Sequence, residues 1–248
     1  METAEYIDVL DREGRLLAGA AAEAGPDAKV PPCPGWQLRD LLRHTGMVHR
    51  WATAFVAEGY TSYHPDGGLP DLDGAALLDW FEDGHRRLVA TLSAAPPDVE
   101  CWHFLPAPSP LAFWARRQAH ETTVHRFDAE SARGGTPSGI DRDFAVDGID
   151  ELLRGMHARG KSKVRTAEPR VLRIRATDVP DGGVWTVHLS TEAPVTAYGD
   201  DGSDADCEIS GPVAGLYLAL WNRVPFPEVT GDSAITDLWR AASAVTWN

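Results

Sequence analysis

The 248-residue sequence has only three cysteines, Cys33, Cys101 and Cys207, scattered and never in a Cys-x-x-Cys pair. That excludes a disulfide framework and fits a reduced compartment. No stretch approaches the roughly 18 uninterrupted apolar residues of a membrane span. The first residues, METAEYIDVL, carry no basic segment followed by an apolar run, so no secretory signal is read there. Both absences make the cytoplasm the expected location and exclude the membrane as a partner. Positive charge is also short: 23 Lys and Arg stand against 37 Asp and Glu, a formal net charge of -14. Such a surface repels a phosphate backbone and shows no basic stripe to release counterions, so nucleic acid is excluded too.

What is present suffices for a substantial core. The hydrophobic content is 43%, and the length fits one large domain or two small ones. Apolar residues recur at helical spacing over 6–22, 37–58, from Leu77 to the Pro96-Pro97 stop and over 141–158, with Gly- and Pro-rich loops between them, and 111–133 reads as a further helix because it has no proline or glycine until Gly134-Gly135 closes it. After Lys161 the texture changes. Residues 171–177 and 184–189 alternate with period two around Asp181-Gly182-Gly183, a hairpin signal, and 195–198 and 207–210 are weaker strands. Helices over 212–222 and 233–245 close the chain. The pattern therefore predicts a helical domain over 1–161 and an α/β domain over 162–248, with the boundary near 162–169.

The chemistry-bearing residues fall on the second and fourth helices. Glu121 and His125 are four apart, so both project from one face, with Trp114, Gln118 and Asp128 on the same stripe. His120 and His125 are five apart and point about 140° from each other, which excludes a zincin pair. An isolated Glu/His pair on a helix surface contributes only a few tenths of a kcal/mol and by itself signals nothing. His44 and His49 are related by the same rotation, so they cannot both face one site. His44 shares its stripe with Leu41, Val48, Trp51 and Phe55, where a satisfied core histidine is the plainer reading. Should His44 meet Glu121 and His125, two imidazoles and a carboxylate would suit a catalytic divalent metal with an open position, most simply zinc. Each cysteine reads as a small buried hydrophobe.

Two segments carry a resemblance. Cys33-Pro34-Gly35-Trp36, Leu41-Leu42-Arg43-His44-Thr45-Gly46 and Val48-His49-Arg50-Trp51 resemble the first signature of the actinobacterial, mycothiol-dependent maleylpyruvate isomerase family. Arg116-Arg117-Gln118-Ala119-His120-Glu121-Thr122-Thr123-Val124-His125-Arg126-Phe127-Asp128-Ala129-Glu130 resembles the second. The likeness continues through Gly211-Pro212-Val213-Ala214-Gly215 to Arg223 and through Glu228-Val229-Thr230-Gly231-Asp232.

The resemblance implies a DinB-like four-helix bundle followed by a small C-terminal α/β domain. It also implies His44, Glu121 and His125 as ligands of a divalent metal, selecting His44 over His49, which periodicity leaves open. Zinc is the first expectation, with nickel and iron(II) as alternatives. Mycothiol is the implied thiol cosubstrate and a small electrophile the second partner. Arg223 matches an arginine that reaches the interdomain active site in the isomerase, where its planar fork suits a carboxylate. An arginine past a helix end also caps the last carbonyls, and both roles stay open. The expected activity is thiol addition to an electron-poor carbon, ending in isomerisation or S-transfer. A non-catalytic metal- or ligand-binding protein is the alternative. Related iron oxygenases carry a paired-histidine His-x-x-x-His-x-Glu motif that this sequence lacks.

Overall fold

The computed structural model describes residues 1–180 and 183–243. The turn residues Asp181 and Gly182 and the expected last helical residue, Val245, lie outside the described residues. The chain forms two compact units, Met1–Ser138 and Gly139–Asn248.

The first unit is a bundle of four helices, α1 (Thr3–Ala24), α2 (Leu38–Glu58), α3 (Gly74–Ala94) and α4 (Pro110–Arg133). Its core joins Leu17 from α1, Leu38, Leu41 and Leu42 from α2, Leu77 and Phe81 from α3 and Ala129 from α4. Each such large side chain contributes about 1.5–3 kcal/mol by leaving water. Local signals fix where the site-bearing helices begin. Gln37 and Asp40 form a reciprocal capping box at the start of α2, and α2 stops at Gly59, in the left-handed conformation at φ 65°. Ser109 caps α4 by accepting from the Ala112 amide at 3.1 Å, with Pro110 in the first turn, where its missing N–H costs nothing.

The Pro-rich segment before α2 is an ordered turn. Trp36 N–H donates to Cys33 O at 3.0 Å across Pro34 and Gly35, and Gly35 sits at φ 88°. Proline second and a left-handed glycine third are the requirements of a type II turn. Cys33-Pro34-Gly35-Trp36 thus closes on itself and holds its first and last side chains in fixed directions.

The second unit starts with α5 (Arg142–Asp150), which runs on as a π-helical turn over Glu151–Met156 and ends with His157 N–H donating to Leu152 O at 2.9 Å. Strands β1 (Arg170–Ala176), β2 (Val184–Leu189), β3 (Val195–Tyr198), β4 (Cys207–Gly211) and β5 (Glu228–Gly231) follow, with α6 (Val213–Leu220) before β5 and α7 (Ala234–Ala242) after it. The sheet order is β3-β2-β1-β4-β5, parallel between β1 and β4 and antiparallel elsewhere. Leu172, Ile174 and Ala176 alternate inward on β1, as period-two patterning demands.

Two features differ from the sequence pattern. The compact units part at Ser138, before the change of texture at 162–169, because α5 packs on α6 and so belongs with the sheet. Helical periodicity shows which face of a helix is apolar and not which core receives it. Strand β5 has no alternating signal since all four of its residues are exposed along the edge of the sheet.

Candidate metal centre

Helix α4 is buried on nearly every face although it is rich in charge: Arg117, Glu121, His125, Arg126, Asp128 and Glu130 are all buried. Buried charges persist only when paired and hydrogen-bonded. Arg126 meets Glu13 of α1 at 2.6 Å and Glu130 at 2.7 Å. Arg117 donates to Glu121 Oε2 at 3.2 Å. Glu121 and His125 are therefore an interior pair rather than the surface pair their spacing alone suggests.

His44, two turns into α2, completes a set with them. The ligating atoms of His44, Glu121 and His125 all lie within 4.8 Å of one another, the metal-type cluster found among the described residues. His44 Nε2 is 3.4 Å from Glu121 Oε1, and His125 Nε2 is 3.2 Å from the same oxygen. With Arg117 on Oε2, the other oxygen of Glu121 alone faces the two imidazoles. Burial opposes charge on Glu121, but hydrogen bonds from His125 and His44 and the nearby Arg117 outweigh it and hold the carboxyl well below its usual range. Burial likewise opposes charge on His125, and the Asp128 and Glu121 carboxylates outweigh it, raising the imidazole above its ordinary value.

The two other histidines of these helices sit elsewhere. His49, fully buried, pairs Nε2 with the Thr122 hydroxyl at 2.9 Å and lies tilted against the rings of Phe81 and His85. Burial, with His85 beside it, holds its imidazole well below its ordinary value. His120 lies edge-on to Tyr6 with ring centroids 6.2 Å apart. Both are turned away from the cluster, as the rotation of about 100° per residue requires.

Sequence reasoning missed three neighbours of the cluster. Asp128 Oδ2 is 2.9 Å from His125 Nδ1; its place on the stripe of His125 was the available signal. Arg117, four residues before Glu121, carried the same i, i+4 signal. Trp36 packs its ring against His44 at 5.3 Å and His125 at 6.4 Å between centroids, which only the folded turn brings about. Cys33 corrects the expectation of a buried hydrophobe: it is partly exposed, with Sγ 3.4 Å from Asp128 Oδ2. Cys101 and Cys207 are buried as expected, and burial pushes both thiols up.

In the second unit, Arg223 follows Asn222, which takes a left-handed φ of 62° just past α6. Its Nη1 donates to Trp221 O at 2.8 Å, the helix-end arrangement of the two left open.

Two imidazoles and a carboxylate with converging donor atoms fit a divalent ion that keeps one position open. Among the described residues no helix is long and apolar enough to cross a membrane. The family model described as the mycothiol maleylpyruvate isomerase N-terminal domain matches residues 8–130, and that described as the MDMPI C-terminal domain matches 143–238. The fold is similar to the crystal structure of a mycothiol-dependent maleylpyruvate isomerase, at 12% identity and a TM-score of 0.63, over 93% of this chain and 92% of that one. A mutant of such an isomerase with a histidine replaced by alanine gives 11% identity and a TM-score of 0.61, over 90% of each chain. No curated protein matches the sequence. Matched by both of its domain models in chain order, the protein belongs to the mycothiol maleylpyruvate isomerase family.

Proposed function

We propose that this chain is a metal- and mycothiol-dependent enzyme that activates the thiol for addition to a small electrophile, as a maleylpyruvate-type isomerase or a thiol S-transferase. The observation that carries the reading is the convergence of His44, Glu121 and His125 inside the bundle, together with family membership. These three residues would hold the ion, zinc being the simplest choice and nickel or iron(II) the alternatives. When bound, a divalent ion of this type favours the thiolate form of a thiol in its open position.

The chain's own groups prepare that environment. Glu121 stays ionised because its partners outweigh its burial, so it is ready to ligate at neutral pH. Arg117 balances the carboxylate charge within the bundle. Trp36 packs its ring against the two imidazoles. Arg223 is assigned the carboxylate of the electrophile on the strength of the family, a guanidinium fork being suited to paired hydrogen bonds. Addition of a thiolate to a cis double bond leaves a single bond free to rotate before the thiol departs, which isomerises maleylpyruvate; trapping at the adduct stage gives S-transfer.

The test is metal analysis of the purified chain combined with a mycothiol-dependent assay of maleylpyruvate loss and a screen of thiol conjugation to other electrophiles. An equimolar metal and thiol-dependent turnover are expected. Tight metal binding with no turnover of any electrophile would leave a binding protein and remove the enzymatic reading.

A further inference from the structure

We propose that Asp128 is a positioning residue for the metal centre, fixing the ring and tautomer of His125, and that the Cys33 thiol is a second clamp on the same carboxylate. The inference rests on the metal-binding reading above. It starts from a fully buried carboxylate, Asp128, one turn beyond His125 on α4. Its Oδ2 takes His125 Nδ1 at 2.9 Å. An imidazole that donates from Nδ1 leaves Nε2 as its ligating atom, and Nε2 is the nitrogen that faces Glu121 Oε1 at 3.2 Å. A carboxylate behind a ligating histidine fixes its orientation and makes it a better electron donor.

The clamp has a second jaw from outside the helix. Cys33 Sγ lies 3.4 Å from the same Oδ2, across 95 positions of sequence. A thiol is a weak donor, yet a buried carboxylate oxygen needs each donor within reach, and apolar replacement of Cys33 removes one. The type II turn explains how the thiol arrives there. Pro34 and Gly35 reverse the chain so that Cys33 reaches Asp128 while Trp36, three residues on, packs on His44 and His125. One four-residue turn therefore supports the centre at two points, through the carboxylate behind one ligand and through a ring against both imidazoles.

The experiment measures zinc affinity of the full chain by competition with a chromophoric chelator, for the native sequence, Asp128→Asn, Cys33→Ala and Cys33→Ser. Asp128→Asn is expected to weaken zinc binding by about 10–100-fold, the usual effect of losing a carboxylate behind a ligating histidine. Cys33→Ala should weaken it less, and Cys33→Ser, which keeps a hydroxyl donor, should restore most of that loss. A merely structural role would lower thermal stability of the metal-free chain and leave zinc affinity unchanged, which overturns the proposal. Should Asp128→Asn fail to fold, the Ala against Ser comparison at position 33 decides: equal affinities overturn the clamp. If the native chain binds no zinc, the metal reading itself is what fails. The His125 Nδ1 proton of the metal-free chain then reports the Asp128 contact by NMR; an upfield move in Asp128→Asn supports it, and an unmoved resonance overturns it.

Discussion

His44 and His49 stand five positions apart on one helix, and the bundle puts them to different uses. His44 turns to Glu121 and His125, while His49 turns to Thr122 and the Phe81–His85 stack. His44→Ala and His125→Ala are expected to lose bound metal, and His49→Ala to keep it at full stoichiometry while losing roughly 2–4 kcal/mol of stability through the cavity it leaves. Metal analysis with denaturant unfolding separates the two; metal lost from His49→Ala and kept in His44→Ala would invert the assignment. The i, i+4 relation of Glu121 and His125 was legible, since it depends only on helical rotation. Periodicity left His44 open against His49, and only the family resemblance singled it out. Nothing local marked Cys33 as a neighbour of Asp128, because the contact joins two segments that meet only in the folded bundle.

At the scale of elements, α4 shows why a hydropathy pattern has limited reach. Its charged residues look solvent-facing in one dimension, yet Arg126 finds Glu13 of another helix and residues 117–130 are all buried. The end of the helical segment α5 also holds a buried group, His157, whose Nδ1 shares a hydrogen bond with the Ser162 hydroxyl at 3.1 Å. Burial pushes this imidazole down to about 4. Above the ordinary histidine value near 6.5 neither the folded nor the unfolded chain binds the proton. As pH falls from about 6.5 to about 4 the unfolded chain takes it up and the folded one does not, so stability drops by about 3 kcal/mol across that window. Denaturant unfolding at pH 7 and pH 4.5 should show this loss, and His157→Gln should remove its share of the pH dependence. An identical pH dependence in the variant would rule out His157 as the source.

At the scale of the whole molecule, the proposed recognition of a carboxylate rests on Arg223 in the second unit, while all three candidate ligands lie in the first. Arg223→Lys keeps the charge and loses the planar fork. Zinc content should be unchanged and KM for a carboxylate-bearing electrophile should rise about 10–100-fold, the equivalent of one charged hydrogen bond or slightly more. Unchanged KM would rule Arg223 out as the partner of that carboxylate. By itself the sequence determined the four bundle helices, the β1–β2 pairing and the candidate stripe on α4, because caps, turns and periodicity act over a few residues. Only the tertiary structure decided that α5 packs with the sheet, that the edge strand β5 exists, that Glu121 is buried against Arg117, and that the Cys33–Trp36 turn reaches the candidate centre. Each of those depends on contacts between distant segments, such as His44 with Glu121 across 77 positions. A side chain's direction on its own helix is set locally, whereas the partner waiting in that direction is set by how the helices pack.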